Sequence, residues 1–253
     1  MPVEHDRAIP VEGAFNFRDL GGYSGAGGRS VRWRRLFRAD GLHRIPPEAA
    51  AALRHLGIVT VIDLRTAEEV TARGRVPDEL GATDYHHLPM FDVLPDWSNV
   101  GDLADPGFLA DRYAEMLDVG RATVGTVLRL LAEPSQLPAV FHCAAGKDRT
   151  GIVAALVLEL LGVERNTVVA DYALSHEAMV RLDEWVAARS PEYVAVLRER
   201  PTVVGEARPH TMERFLAFVD DRYGSVTGLA QDLGVGAELI ARLQANLLEL
   251  DAS

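Results

Sequence analysis

The ten residues His142-Cys143-Ala144-Ala145-Gly146-Lys147-Asp148-Arg149-Thr150-Gly151 constrain this chain more than any other stretch. They follow Pro138 to His142, a short apolar run that reads as a buried strand. They lead into Thr150 to Leu161, which is rich in Ala, Val and Leu on every side and stops at Gly162, as a buried helix does. A loop of small residues between a strand and a helix is suited to anions. Its backbone N–H groups can curl inward beside the positive end of the helix. Gly146, Ala144 and Ala145 leave room for a close approach of backbone to ligand.

Within that loop Cys143 and Arg149 have complementary chemistry. Arg149, at the helix start, can fork two N–H donors onto phosphate oxygens while Cys143 sits beneath the phosphorus. The nest, the helix terminus and the guanidinium all favour the thiolate, which is the attacking form of cysteine. A lone buried cysteine is ordinarily inert core, but inert core has no use for a glycine, two adjacent cations and a strand-to-helix junction. The expected phosphate cradle is Ala144, Ala145, Gly146, Lys147, Asp148 and Arg149. His142 is expected to orient the loop by hydrogen bonding, and Thr150 to offer its hydroxyl to the sulfur.

Other chemistries fit poorly. A nucleotide-binding loop needs Ser or Thr after Gly-Lys and another glycine five positions earlier, where this chain has Asp148 and Phe141. The glycines at 25, 27 and 28 follow no apolar strand, so a dinucleotide fingerprint is absent. His176-Glu177 lacks the second histidine of a helical zinc motif, and His86-His87 has no partner at ligand spacing. A single cysteine excludes a disulfide framework and any multi-thiolate zinc site. No metal or other cofactor is expected.

The rest of the chain alternates strand-like and helical patterns, which predicts an α/β fold with a central, mainly parallel sheet flanked by helices. Ile58 to Leu64 is the clearest strand, with Thr83 to Leu88 and Arg34 to Arg38 weaker ones. Helices are expected over Pro47 to Leu56, over Phe108 to Leu131 with a division near Gly120, and almost continuously beyond Thr150. Met179 to Ala188, Met212 to Tyr223 and Ala237 to Leu250 carry charged faces. The expected organisation is one domain over 1–253, with 176–253 a helical portion placed to form a lid.

Composition narrows the partners. Lys plus Arg is 26 and Asp plus Glu is 37, a net charge of −11, which disfavours nucleic acid and anionic membranes. Any site for a polyanion must be local; Arg29, Arg32, Arg34, Arg35 and Arg38 form the densest basic cluster. The N-terminus lacks a basic start followed by an apolar stretch, and the longest apolar run, Ile152 to Leu161, is far short of the roughly 20 residues that span a bilayer. The expectation is a cytoplasmic protein without membrane insertion.

HCAAGKDRTG resembles the signature of cysteine-dependent phosphatases. Together with Asn16-Phe17-Arg18-Asp19-Leu20-Gly21-Gly22, its GKDRTG form is similar to that of the bacterial atypical tyrosine phosphatase family. Leu36-Phe37-Arg38, Ile62-Asp63-Leu64-Arg65 and Ala170-Asp171-Tyr172 extend the likeness over most of the chain. The resemblance implies the phosphatase fold, a phosphocysteine intermediate, no metal, and phosphotyrosine as substrate with inorganic phosphate as product. Several relatives also accept phosphoserine, phosphothreonine or phosphoinositides. Lys147 resembles the extra loop cation of inositol-lipid phosphatases, which helps to hold a second phosphate group. Asp148 is expected to steady Lys147 or a basic residue of the N-terminal segment, and the Asn16 to Gly22 motif to support the loop.

Departure of a tyrosyl oxygen also needs a proton donor. Asp63, Asp92, Asp96, Asp102 and Asp105 are the candidates. Asp63 stands beside Arg65 at a strand end, which favours a structural ion pair. Asp92, after the proline-marked run His87-Leu88-Pro89-Met90-Phe91, resembles the position of the family's acid. The expected enzyme is a protein-tyrosine phosphatase using Cys143, Arg149 and Asp92. A phosphoinositide phosphatase with the same residues is the alternative, and a silent phosphate-binding module is a weaker one, since Cys143, Arg149 and Thr150 are all present. A thiol reductase of the arsenate type would need further thiols, and this chain has none.

Overall fold

The computed structural model describes residues 6–93, 107–190, 192–199 and 202–250. Along the chain, β1 (Arg18–Asp19), β2 (Ser24–Gly25), β3 (Arg29–Val31) and β4 (Leu36–Ala39) precede α1 (Pro47–Ala52). Then come β5 (Thr60–Asp63), α2 (Ala67–Arg73), β6 (Asp84–His87), α3 (Phe108–Val119), α4 (Arg121–Leu131) and β7 (Ala139–His142). Helices α5 (Asp148–Leu160), α6 (Arg165–Ala173), α7 (Ser175–Arg189), α8 (Tyr193–Glu199), α9 (Thr202–Gly205), α10 (Pro209–Tyr223), α11 (Val226–Asp232) and α12 (Ala237–Leu247) lead to β8 (Leu248–Leu250).

Five strands make the central sheet in the order β1-β4-β7-β5-β6, parallel except for β1. This is the mainly parallel α/β architecture expected from the alternating pattern. Its inner strands β4, β7 and β5, buried on both faces, show a period of two between two cores rather than between core and solvent. Leu36, Ile62, Ala139 and Phe141 join the larger core, which takes in α5 residues such as Val153 and Leu156. Phe37, Ala39, Val61 and Val140 join the smaller one, with Leu42, Leu53 and Leu56.

Register decides where chemistry can occur. Ala39 pairs with His142, and His142 with Asp63, so β4, β7 and β5 end level with one another. The loops that follow these three strands therefore emerge side by side at the carboxyl edge of the sheet, the usual ligand site of open α/β sheets.

One helical expectation fails. The run Ala237 to Leu250 is not helical throughout: α12 ends at Leu247, and Leu248–Leu250 pairs antiparallel with β3 in a second sheet of order β2-β3-β8. Leu248 is buried while Glu249 and Leu250 are exposed, so a short edge strand serves this end better than another helical turn. The division at Gly120 is seen, with α3 ending and α4 beginning on either side of it. No described helix is long and apolar enough to cross a membrane.

Candidate active site

Cys143 follows β7 directly and is buried. The loop from Cys143 to Lys147 is held from behind by its own carbonyls. Gly41 N donates to the Ala144 oxygen at 3.0 Å, Asn16 Nδ2 to the oxygens of Ala145 at 3.3 Å and Gly146 at 3.0 Å, and Arg38 Nη2 to the Gly146 oxygen at 2.8 Å. In a trans peptide N–H and C=O point in opposite directions, so the N–H groups of residues 145, 146 and 147 are turned away from this scaffold. Gly146 has φ +69°, and a Cβ there would lie 2.7 Å from the Ala39 carbonyl oxygen, so only glycine fits. The loop then enters α5 at Asp148.

The scaffold is itself braced by buried ion pairs. Asp171 of α6 accepts from Arg18 Nε at 3.0 Å, Arg38 Nη1 at 2.6 Å and the Tyr23 hydroxyl at 3.0 Å. Burial opposes its charge, but Arg18 and Arg38 more than offset that and hold its carboxyl well below the usual range. Asp40 accepts from the Phe15 and Asn16 amides and from Arg44 Nη2, which ties the N-terminal segment to the end of β4.

A second network lies on the β5 side. Arg65 grips Asp63 through Nε and Nη2, at 2.9 and 2.6 Å, and Tyr85 donates to the same carboxylate at 2.8 Å. Asp63 is thus the structural ion-pair partner that its neighbour in sequence suggested. Burial acts against its charge, but the His142 ring and Arg65 depress its pKa well below the carboxylate norm. His142 is fully buried, with Nδ1 3.2 Å from the Cys143 carbonyl oxygen, and burial lowers its pKa. A carbonyl only accepts, so His142 Nδ1 carries the proton and fixes the loop's first peptide.

Arg149 is positioned by a residue that motif reasoning passed over. Glu69 receives its Nη1 at 2.6 Å and Nη2 at 3.0 Å, a two-pronged pair. Glu69 is in turn the third residue of α2, whose capping box joins it to Thr66 in both directions. The Thr66-x-x-Glu69 spacing is the sequence signal of a capping box; nothing local marks its second use as the arginine's anchor. The Phe91 ring lies 5.1 Å from the Arg149 guanidinium carbon.

Lys147 is not a solvated surface lysine. It is buried, and its ammonium lies 2.5 Å from Asp148 Oδ1, which also accepts from the Tyr113 hydroxyl at 2.7 Å. Burial works against the ammonium, yet Asp148 and other neighbours raise its pKa overall. The Thr150 hydroxyl is buried and has no hydrogen-bond partner among the described residues, Cys143 included. Asp92 is exposed and lines a separate cavity with Phe91, Arg112 and Met116. Asp96, Asp102 and Asp105 fall outside the described residues. Among the described residues no group of three or more His, Cys, Asp or Glu could hold a metal ion.

Above the loop opens a cavity of about 490 Å³, with Ala144, Ala145, Lys147 and Asp148 at its base. His43, Arg44 and Arg73 stand on one side, and α7 supplies Met179, Leu182 and Trp185 on the other. Cys143 and Arg149 belong to this loop and are buried beneath the cavity's lining residues; inward N–H groups, a clamped guanidinium and a thiol on one loop can together seat a tetrahedral dianion.

The comparisons point the same way. The sequence profile of the tyrosine phosphatase family matches residues 9–249. The triple specificity protein phosphatase PtpB of Mycobacterium tuberculosis is 32% identical over 284 aligned positions, covering 96% of this chain and 99% of that protein. A tyrosine-protein phosphatase of Nostoc commune is 28% identical, covering 83% of this chain and 73% of its own.

Two outcomes follow from this geometry. Glu69→Ala leaves the guanidinium of Arg149 buried without its carboxylate, and should cost about 3–5 kcal/mol in urea unfolding. Inorganic phosphate should restore more stability to this variant than to the unaltered chain, because it supplies the missing anion; equal stabilisation of both would contradict the clamp. The second outcome concerns acid. His43 (held at about 3 by burial and by Arg44, Arg65 and Arg73) and His142 are folded as neutral rings, whereas unfolded histidine titrates near ~6.5. Their contribution is present above ~6.5 and is lost as pH falls below it; that of Asp63 and Asp171 is present above ~3.9 and is lost below that. Unfolding free energy measured against pH should therefore be level from pH 9 to 7, decline from about 6.5, and fall more steeply below about 4. A stability that stays level down to pH 4 would contradict the neutral-ring assignment.

Proposed function

Because this chain belongs to the tyrosine phosphatase family and is a protein-tyrosine phosphatase, we propose that it works through a phosphocysteine intermediate formed on Cys143. The Cys143 sulfur attacks phosphorus, the bond from phosphorus to the tyrosyl oxygen breaks, and the leaving oxygen takes a proton. Water then cleaves the thiophosphate, releasing inorganic phosphate and the thiolate. Arg149, aligned by Glu69, holds two non-bridging oxygens through the transition state, and the inward N–H groups of the loop hold the remaining charge. His142 keeps the loop in register, and Thr150, whose hydroxyl has no hydrogen-bond partner among the described residues, stabilises the departing sulfur in the second step.

The observation that carries this reading is the Glu69–Arg149 pair beside a buried cysteine loop with its carbonyls turned to the scaffold. Residues 1–253 act as one phosphatase domain. The helical portion 176–253 contributes the α7 wall of the cavity, which supports the reading of that helix as a cover over the substrate.

Asp92 is the proposed proton donor. The packing of Phe91 against Arg149 holds Asp92 one residue along the chain from a contact with the phosphate-binding arginine; from its exposed position Asp92 would have to swing toward the loop to meet the leaving group. Asp148 offers a second reading, because it lines the cavity itself. Lys147, among the cavity's lining residues, also supports turnover of phosphoinositides, as a cation beside the site for a second phosphate group.

Turnover of p-nitrophenyl phosphate should proceed fully in a chelator and disappear in Cys143→Ser; a requirement for divalent metal would overturn the mechanism. Asp92→Asn should slow an alkyl or tyrosyl phosphate by about 10²–10⁴-fold, and a substrate with an acidic leaving group far less. If Asp148→Asn shows that dependence on leaving-group pKa and Asp92→Asn does not, the proton donor is Asp148.

A further inference from the structure

His43, Arg44 and Arg73 share one wall of the substrate cavity, but their hydrogen bonds give them different roles. Arg44 is fully engaged: its Nε donates to the Gly13 oxygen at 3.2 Å, its Nη2 to Asp40, and its Nη1 to the Ala144 oxygen at 3.5 Å. It is a strut between the N-terminal segment and the loop. Arg73, at the last turn of α2, is exposed and makes no hydrogen bond, ion pair or ring contact among the described residues.

His43 is fixed more narrowly. Its Nδ1 lies 3.0 Å from Arg65 Nη1, and a guanidinium can only donate, so Nδ1 is bare. Burial, together with Arg44, Arg65, Arg73 and His142, keeps the ring neutral at working pH. Its one proton therefore sits on Nε2, which has no partner among the described residues. Gly41 sets the ring's place from behind, since a Cβ there would come within 2.6 Å of His43 Cε1. Among the described residues this wall thus presents one neutral N–H donor and one guanidinium without a hydrogen bond or ion pair. The facing helix lines the cavity mainly with the apolar side chains Met179, Leu182 and Trp185, beside Asp183.

We propose that His43 and Arg73 recognise a carboxylate next to the phosphorylated side chain, so that the preferred substrate is a phosphotyrosine peptide with an adjacent Asp or Glu. The proposal rests on the phosphatase reading above. A guanidinium fork and a single N–H donor match the oxygens of one planar carboxylate. Because the chain carries a net charge of −11, preference for an acidic peptide cannot come from the surface at large and must be local.

The test compares two phosphotyrosine peptides that differ only in having Asp and Glu, or Asn and Gln, beside the phosphotyrosine. An exposed ion pair and one hydrogen bond together should give the unaltered enzyme about a five- to tenfold higher kcat/KM on the acidic peptide. Arg73→Gln and His43→Leu should each lower that ratio, and the double variant should bring it to about one. His43→Gln should recover part of it, because an amide can accept from Arg65 and still donate into the cavity. Gly41→Ala should lower the ratio without altering either side chain, by displacing the ring. Each ratio is internal to one variant, so a partial folding defect cancels. A ratio near one in the unaltered enzyme, or an undiminished ratio in the double variant, overturns the proposal while leaving the phosphatase reading intact. Failure of the unaltered enzyme to hydrolyse p-nitrophenyl phosphate overturns both.

Discussion

A loop that binds phosphate through buried cations needs carboxylates behind it, because an unpaired charge taken out of water is far costlier than a paired one. Every buried cation around Cys143 meets this condition. Arg149 has Glu69, Arg18 and Arg38 share Asp171, Arg65 has Asp63, and Lys147 has Asp148. Each carboxylate comes from a different place in the chain: α2, α6, the end of β5 and the start of α5. The pairs therefore hold the layers of the fold in one arrangement as well as neutralising the loop. The level ends of β4, β7 and β5 are what bring these groups to a single edge.

Legibility in the sequence followed distance along the chain. The loop, its flanking strand and helix, and the roles open to Cys143 and Arg149 are all contained in a few consecutive residues, so local spacing revealed them. Asp63 beside Arg65, and Asp148 beside Lys147, were readable for the same reason. Glu69 was not, because its link to Arg149 spans 80 positions and nothing in its local pattern marks it. Asn16, by contrast, was expected to support the loop from its motif alone, and its amide does so across 129 and 130 positions.

Five arginines between 29 and 38 form a dense basic cluster along the sequence, yet strand geometry separates them. Arg38 turns inward to Asp171, Arg29 and Arg32 donate to backbone carbonyls, and Arg34 takes a left-handed turn conformation with its amide on Asp19. Among the described residues, the cation at the cavity without a hydrogen bond or ion pair is Arg73, which stands outside any cluster. A residue's availability depends on what its neighbours in space have already claimed, and charge density along a sequence does not report that. The C-terminal strand eluded periodicity in the same manner, since Leu248 to Leu250 continues an apolar helical pattern and becomes a strand only because β3 offers an edge.

The central claim is that Cys143 carries the phosphoryl group between substrate and water. Rapid acid quench during turnover of an aryl phosphate, followed by mass analysis of the peptide that contains Cys143, tests it directly. A phosphoryl group on that cysteine, appearing and decaying at rates consistent with turnover, is the expected result. Full turnover with no modification of Cys143 at any time, together with retained activity in a variant lacking its sulfur, would contradict it.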